Sequence, residues 1–336
     1  MVFLLGAGFN ADAAKEAFPL SGKSVYLKEI ECKYPLVSDL PKLCFDSKPI
    51  PAGKSVEDFF ESAPSRGENS PIGRLTAKLM EADYFLAQPL ASLTNCYQHF
   101  LDSFPNHHFL TFNYDSLVET ILNRQGRWNP VDGYGIPVDA ERLWSANADE
   151  TPIPRSTSLV LHLHGSLSLS TSEFEVRKNG PAQMRMIMNR DKPQFSFDPF
   201  TIADNFPGYA SSGHRLDWQS LESRVIAPIP NKAKALIRPF ISRMYERAQQ
   251  LVREDGTLVS IGYSFNSHDR ESYDPILSAL SQTASPELVL VMPEAYKVAV
   301  ELQLQYPKIS IKPVESTFKA WVSSAFPGLP SLSLTF

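Results

Sequence analysis

Three short segments of this 336-residue chain carry the residues best suited to chemistry: Val2-Phe-Leu-Leu-Gly-Ala-Gly8, Phe109-Leu-Thr-Phe-Asn-Tyr-Asp115 and Leu159-Val-Leu-His-Leu-His-Gly-Ser166. Each reads as an apolar strand that runs into polar or glycine residues. In open α/β sheets ligands sit at the carboxyl ends of the strands, so these tips are expected to converge on one crevice. They would supply a phosphate-binding turn, an amide, a carboxylate and an imidazole. That set suits holding a nucleotide and breaking a glycosidic bond in it.

Gly6-Ala-Gly-Phe-Asn-Ala11 matches the glycine-rich fingerprint of dinucleotide-binding turns. Its first glycine permits the tight turn, its second lets backbone N–H groups approach a pyrophosphate, and the following helix adds a favourable dipole. A plain βα turn would use the same glycines. A dehydrogenase also needs an acid about 20 residues on, at the end of a second strand. Glu29 and Glu31 lie there, in a stretch that reads as helix, so hydride transfer is disfavoured.

Thr111-Phe-Asn-Tyr-Asp115 falls where a strand gives way to a helix. Asn113 or Asp115 could cap that helix. Alternatively both face a ligand: the amide fixes a ribose hydroxyl or a water, and the carboxylate accepts from a carboxamide N–H. His162 and His164 sit at i and i+2 around Leu163, and in a strand such positions point to the same face. A histidine on an apolar strand is commonly structural. His164, beside Gly165 and Ser166, is the better general base because an imidazole titrates near neutrality. The pair also permits a metal reading, with His107, His108, His268 and Asp269 as further ligands. Leu258-Val-Ser-Ile-Gly-Tyr-Ser-Phe265 is another strand-to-glycine turn, in which Gly262 and Ser264 could meet a phosphate or ribose, and Asp269 reads as an N-cap.

The elements that must position these residues alternate strand and helix. Strands are expected at 2–5, 108–112, 159–163, 258–261, 288–292 and 309–311. Helices are expected at 9–18, from 56, at 72–100, 115–122, 232–253, 269–280 and 294–305. The helix from 56 takes Ser55 as N-cap and Asp58 at N3. That over 72–100 rests on Leu75, Leu79, Tyr84, Leu86, Leu90 and Leu93. Residues 126–158 read as loop. This is the pattern of an α/β protein with a doubly wound, mostly parallel, Rossmann-like sheet. The expected organisation is one domain over 1–336, with a helical insertion at about 20–105 and an irregular small module at about 167–225, in which Met-Arg-Met-Ile-Met could be a strand.

Composition narrows the function classes. Hydrophobic residues are 43%, charged residues 21% and the formal net charge is −5, which suits a globular protein and disfavours a dedicated nucleic-acid binder. Cys32, Cys44 and Cys96 are the three cysteines. They are too few for a four-thiolate zinc site and suggest a reducing compartment. The apolar start stops at Gly6, short of a signal peptide, and no run approaches the roughly 20 apolar residues of a membrane helix. A cytoplasmic protein with no membrane partner is expected.

Together the Gly-Ala-Gly turn, Thr-x-Asn-x-Asp, His-Gly and Gly-x-Ser, in that order, resemble the sirtuin superfamily. The likeness is closer to its bacterial antiphage branch. That branch shows the Asn-Tyr-Asp and Gly-Tyr-Ser-Phe forms and a stretch comparable to Ile226-Ala-Pro-Ile-Pro-Asn-Lys232. Protein deacylation is not implied, because the zinc cysteines and a Pro-Asp-Phe-Arg loop near Phe18-Pro-Leu-Ser-Gly-Lys23 are missing. The resemblance implies NAD as substrate, no metal, and hydrolysis to nicotinamide and ADP-ribose. Asn113 and His164 would be catalytic. Gly6, Ala7, Gly8, Phe9, Asn10, Thr111, Asp115, Gly262 and Ser264 would bind the dinucleotide. It also implies control by homo-oligomer assembly or by a partner, a hexameric ATPase of the HerA type or a short Argonaute. Binding of NAD or an ADP-ribose derivative without turnover, and a metal hydrolase or nuclease built on the His pair, are the alternatives.

Overall fold

A computed structural model describes residues 1–17, 71–92, 94–138, 155–170, 172–176, 184–188, 194–195 and 239–329, with Tyr34, Asp39, Leu40, Lys42, Val56, Asp58 and Phe60. The cap at Ser55, residues 18–23 and residues 226–232 lie outside these, as do 232–238 of the helix expected over 232–253.

Six strands form one parallel sheet: β1 (Val2–Leu5), β2 (His108–Thr111), β3 (Val160–His162), β8 (Thr257–Ile261), β9 (Glu287–Met292) and β10 (Ser310–Glu315). Their spatial order is β10-β9-β8-β1-β2-β3, so the winding reverses beside β1. This is the doubly wound order of dinucleotide-binding sheets, with the switch point between β1 and β8. The inner strands are nearly continuous apolar runs, as expected where helices cover both faces. β10 is an edge strand and is half exposed.

Helices flank the sheet: α1 (Ala13–Ala17), α2 (Pro71–Ser92), α3 (Cys96–Ser103), α4 (Leu117–Arg124), α5 (Pro239–Asp255), α6 (Arg270–Leu280), α7 (Ala295–Gln305) and α8 (Phe318–Ser323). Phe3 of β1 meets Phe100 of α3 edge-on at 5.0 Å and Phe104 at 4.9 Å. Phe100 in turn meets Phe318 of α8 at 5.4 Å. This aromatic cluster anchors one end of β1, and α5 packs on β1, β3 and β8.

Several boundaries differ from the sequence reading. The helix expected from Phe9 begins as a 3₁₀ turn over Ala7–Asp12. The helix expected over 72–100 is two helices, because the Asn95 side chain accepts from the N–H groups of Tyr97 and Gln98 and starts a new one. β3 stops at His162. α8 was not expected. In the region read as an irregular module, four short strands pair antiparallel: β4 (Leu169–Ser170) with β7 (Gln194–Phe195), and β5 (Ser172–Val176) with β6 (Met184–Met188). β6 is the Met-Arg-Met-Ile-Met stretch.

Candidate functional site

Registers of Leu5 with both Thr111 and Ile261, and of Thr111 with His162, set the ends of β8, β1, β2 and β3 side by side. Three strand spacings, about 14 Å, separate the outer two. Gly262, Gly6, Phe112-Asn113 and Leu163-His164 are therefore neighbouring strand exits.

The two glycine turns are locked together. Gly6 N–H donates to Ile261 O at 3.0 Å and Gly8 N–H to Gly262 O at 2.9 Å, while Phe9 N–H turns back to Gly6 O at 2.9 Å. A Cβ on Gly262, whose φ is +64°, would stand 2.4 Å from Gly8 C, and one on Gly6 would stand 2.5 Å from Tyr263 Cα. The glycines thus serve backbone-to-backbone packing at the switch point. The role read for the second glycine changes accordingly, because the Gly8 N–H is already donated within the chain. Ala7 and Ser264 are exposed, and Gly8 and Gly262 half-buried, at the rim.

Thr111 and Asn113 fasten the exit of β2 to that of β1. Asn113 N–H donates to Thr111 Oγ1 at 2.9 Å, and Asn113 Nδ2 donates to Gly6 O at 3.0 Å. The Asn113 side chain is half-buried, beside the first glycine turn. Asp115 is the residue that caps: its Oδ1 accepts from Leu117 N–H at 3.2 Å. Its Oδ2 accepts from Asn10 Nδ2 at 2.5 Å. Asn10 is 2% exposed, and its Oδ1 has no hydrogen-bond partner among the described residues.

The histidines part company. Because β3 ends at His162, the i, i+2 rule does not carry to His164. His162 is fully buried, with Nδ1 3.0 Å from Asn113 O and Nε2 2.5 Å from Glu119 Oε1. Both partners accept, so a doubly protonated ring satisfies both. Burial is the largest influence and opposes that charge, but the charge and hydrogen bond of Glu119, with Asp115 and Asn113 O, together outweigh it and raise the pKa. His164 is 4% exposed, with Nε2 2.8 Å from Ser272 Oγ on α6 and its ring 4.6 Å from that of Phe112. It lines the wall of the strand exits and does not project into open space. The two imidazoles face α4 and α6 respectively, which takes away the shared face that the metal reading needed. Asp269 does not cap α6 with its side chain; Asn266 accepts from His268 N–H instead.

Three residues at or beneath the exits were missed: Asp83, Glu119 and Ser272. Asp83 of α2 accepts from Tyr34 OH at 2.8 Å, from Ser116 N–H at 3.1 Å and from Ser116 Oγ at 2.5 Å. Burial, then the charge of Asp115, push its pKa up to about 7. Burial, then Glu119, push Asp115 to about 6. A signal for Asp83 was present: it lies on the apolar stripe of Leu75, Leu79, Leu86 and Leu90, where a carboxylate needs a buried partner. Glu119, within a largely apolar helix, carried a weaker version of that signal. Ser272 carried none.

Among the described residues no group of three or more His, Cys, Asp or Glu is placed to hold a metal ion. No described helix is long and apolar enough to cross a membrane. A comparison with curated proteins finds no match. A family model described as SIR2-like domain matches residues 107–311, which is more than half of the chain. The matched segment runs from the start of β2 into β10 and contains Asn113, Asp115, His164, Gly262 and Ser264; β1 and its glycine turn, outside it, slot between β8 and β2 to complete the same sheet. On this match the chain belongs to the SIR2-like domain family, whose chemistry is tied to NAD.

Proposed function

We propose that the chain is an NAD glycohydrolase that releases nicotinamide and leaves ADP-ribose. The observation that carries this reading is the order of the strand exits, which sets the paired glycine turns, Asn113 and His164 along one end of the sheet at its switch point. In this reading the dinucleotide lies across the exits of β8 and β1, with Ala7 and Ser264 at its rim. The orphaned Asn10 Oδ1, beside Asp115, suits the N–H of a carboxamide. Asn113 orients the ribose or the attacking water. His164 acts as base when a substrate hydroxyl replaces Ser272 at Nε2. Nicotinamide leaves neutral from a cationic ring, so loss of it needs no strong general acid; charge develops at the ribose as in other glycoside cleavages.

One observation favours a second reading, binding without turnover: His164 is nearly sealed and already engaged by Ser272. Incubation with NAD and a chelator separates the two. Nicotinamide release that survives chelation is expected, and NAD binding without release would establish the second reading. Asn113→Ala and His164→Ala are each expected to lower turnover by about 10²-fold or more, with circular dichroism unchanged. Full activity in either variant overturns its assigned role. Participation in antiphage defence, and control by self-assembly or by a HerA-type ATPase or short Argonaute, rest on the family resemblance and are part of the same proposal.

A further inference from the structure

The outward face of α7 is apolar in a way that solvent alone does not explain. Tyr296, Val300 and Leu304 are 60%, 64% and 82% exposed, and they recur every fourth residue. At 100° per residue Tyr296 and Leu304 fall about 40° to either side of Val300, which makes one continuous stripe. Val298, Ala299 and Leu302 pack inward against the sheet. A single exposed leucine is ordinary on a protein surface, but an aligned row of large apolar side chains marks a contact face.

The charges beside the stripe select the occupant. Lys297 and Glu301 lie on one flank, about 60° and about 100° from Val300, whereas Gln303 and Ala299 lie on the other. When a helix pairs antiparallel with a copy of itself about a two-fold axis, like flanks meet and the axial direction reverses. Centred on Val300, that pairing sets Lys297 and Glu301 of the second copy about 3 Å apart along the axis, twice over by symmetry. Tyr296 then meets Leu304 of the second copy, and Val300 meets Val300. A parallel pairing would instead oppose Lys297 to the uncharged flank. Among the described residues Lys297 has a single loose ion pair, 3.9 Å from Glu294, with both side chains at least 70% exposed, so it is available to exchange partners.

We infer that α7 is a self-association face, on which a second copy of this chain docks antiparallel through Tyr296, Val300 and Leu304 with reciprocal Lys297–Glu301 pairs. A short helix pair covers less than the roughly 800 Å² per partner of a standard interface. The association is therefore reversible unless other surfaces add to it. The inference uses no residue of the proposed NAD site.

Sedimentation velocity across micromolar to millimolar concentration tests it on the full chain. The wild-type protein is expected to shift from monomer to dimer. Lys297→Glu and Glu301→Lys each place like charges across the pair, and each is expected to weaken association about ten-fold. The double variant, Lys297→Glu with Glu301→Lys, restores complementarity and is expected to recover wild-type association. Leu304→Glu is expected to abolish it. All three positions are exposed, and circular dichroism confirms folding of each variant. A wild-type monomer throughout, indifference to Leu304→Glu, or a double variant no better than the singles overturns the inference. Because the readout is mass, nicotinamide release plays no part in it.

Discussion

Single residues at the strand exits do double duty, and Gly262 shows the limit of what they tolerate. Its φ is +64° and its Cα face is filled by Gly8 C and Phe9 N. Gly262→Ala adds both left-handed strain and a clash between two backbones that neither neighbour can relieve. A loss of about 2–4 kcal/mol in stability is expected, together with weaker NAD binding as the two turns separate; chemical denaturation and calorimetric titration with NAD measure the two effects. A variant as stable as the parent would mean that the turns are looser than their contacts imply. Glycine at these positions was legible from sequence because a fingerprint after an apolar run is a local signal. What the glycines touch was not legible, because the partner of Gly8 lies more than 250 residues away in the chain. That Asn113 and His164 stand at strand exits was legible for the same local reason, since each follows closely on an apolar strand. Ser272 was not: nothing near a helical serine tells that an imidazole will arrive from the turn beyond β3.

Elements meet at the pair of His162 and Glu119. The ring leaves the end of β3, the carboxylate rises from α4, and Asn113 O of the intervening exit takes the other ring nitrogen. One buried imidazole thus ties β3 to α4 and to the backbone of the segment that carries Asn113. Glu119→Gln removes the charge that holds the protonated ring, and leaves a buried group without its counterion. Breaking such a pair costs about 3–5 kcal/mol. The expected outcome is a lower melting temperature, with loss of turnover in proportion to displacement of Asn113; an unchanged melting temperature would show that His162 is neutral and the contact unimportant. The six strands and their parallel order follow from apolar runs separated by helical periods, which is why the sheet was readable. The end of β3 was not, because Leu163 and His164 continue the apolar-polar alternation while the backbone turns, closed by Gly165 N–H on His162 O at 3.2 Å and helped by the left-handed φ of +85° at Gly165. The break at Asn95 was missed for the opposite reason: the apolar period runs on to Leu93, and the cap that interrupts it is a single side chain.

At the scale of the whole molecule, the buried acids make stability depend on pH in an unusual direction. Asp83 is held at about 7 and Asp115 at about 6, each mainly by burial. Both lie above the ordinary value for an unfolded aspartate, so the folded state keeps protons that the unfolded chain has released. Their contribution is fully present below about pH 4 and is lost as pH rises through about 6 and about 7. His162, raised by Glu119, works in the same sense at higher pH: its stabilisation is complete below the ordinary histidine range and fades as pH climbs past the folded value. Exposed carboxylates drawn toward cations act oppositely, so the whole-protein curve mixes both signs. Asp83→Asn isolates the buried part. An asparagine can still accept from Ser116 N–H, and its amide can donate to Ser116 Oγ, which has Thr120 Oγ1 at 3.2 Å as a second partner. Wild type and Asp83→Asn are therefore expected to show similar stability near pH 4. They should diverge as pH rises from about 4 to about 7, leaving the variant the more stable above that, by at most about 4 kcal/mol. Denaturant unfolding across that range measures the difference directly. Parallel curves would mean that Asp83 ionises in the folded protein as easily as in water. That outcome would contradict its burial on the apolar face of α2, where Tyr34 and Ser116 are the groups that make its presence affordable.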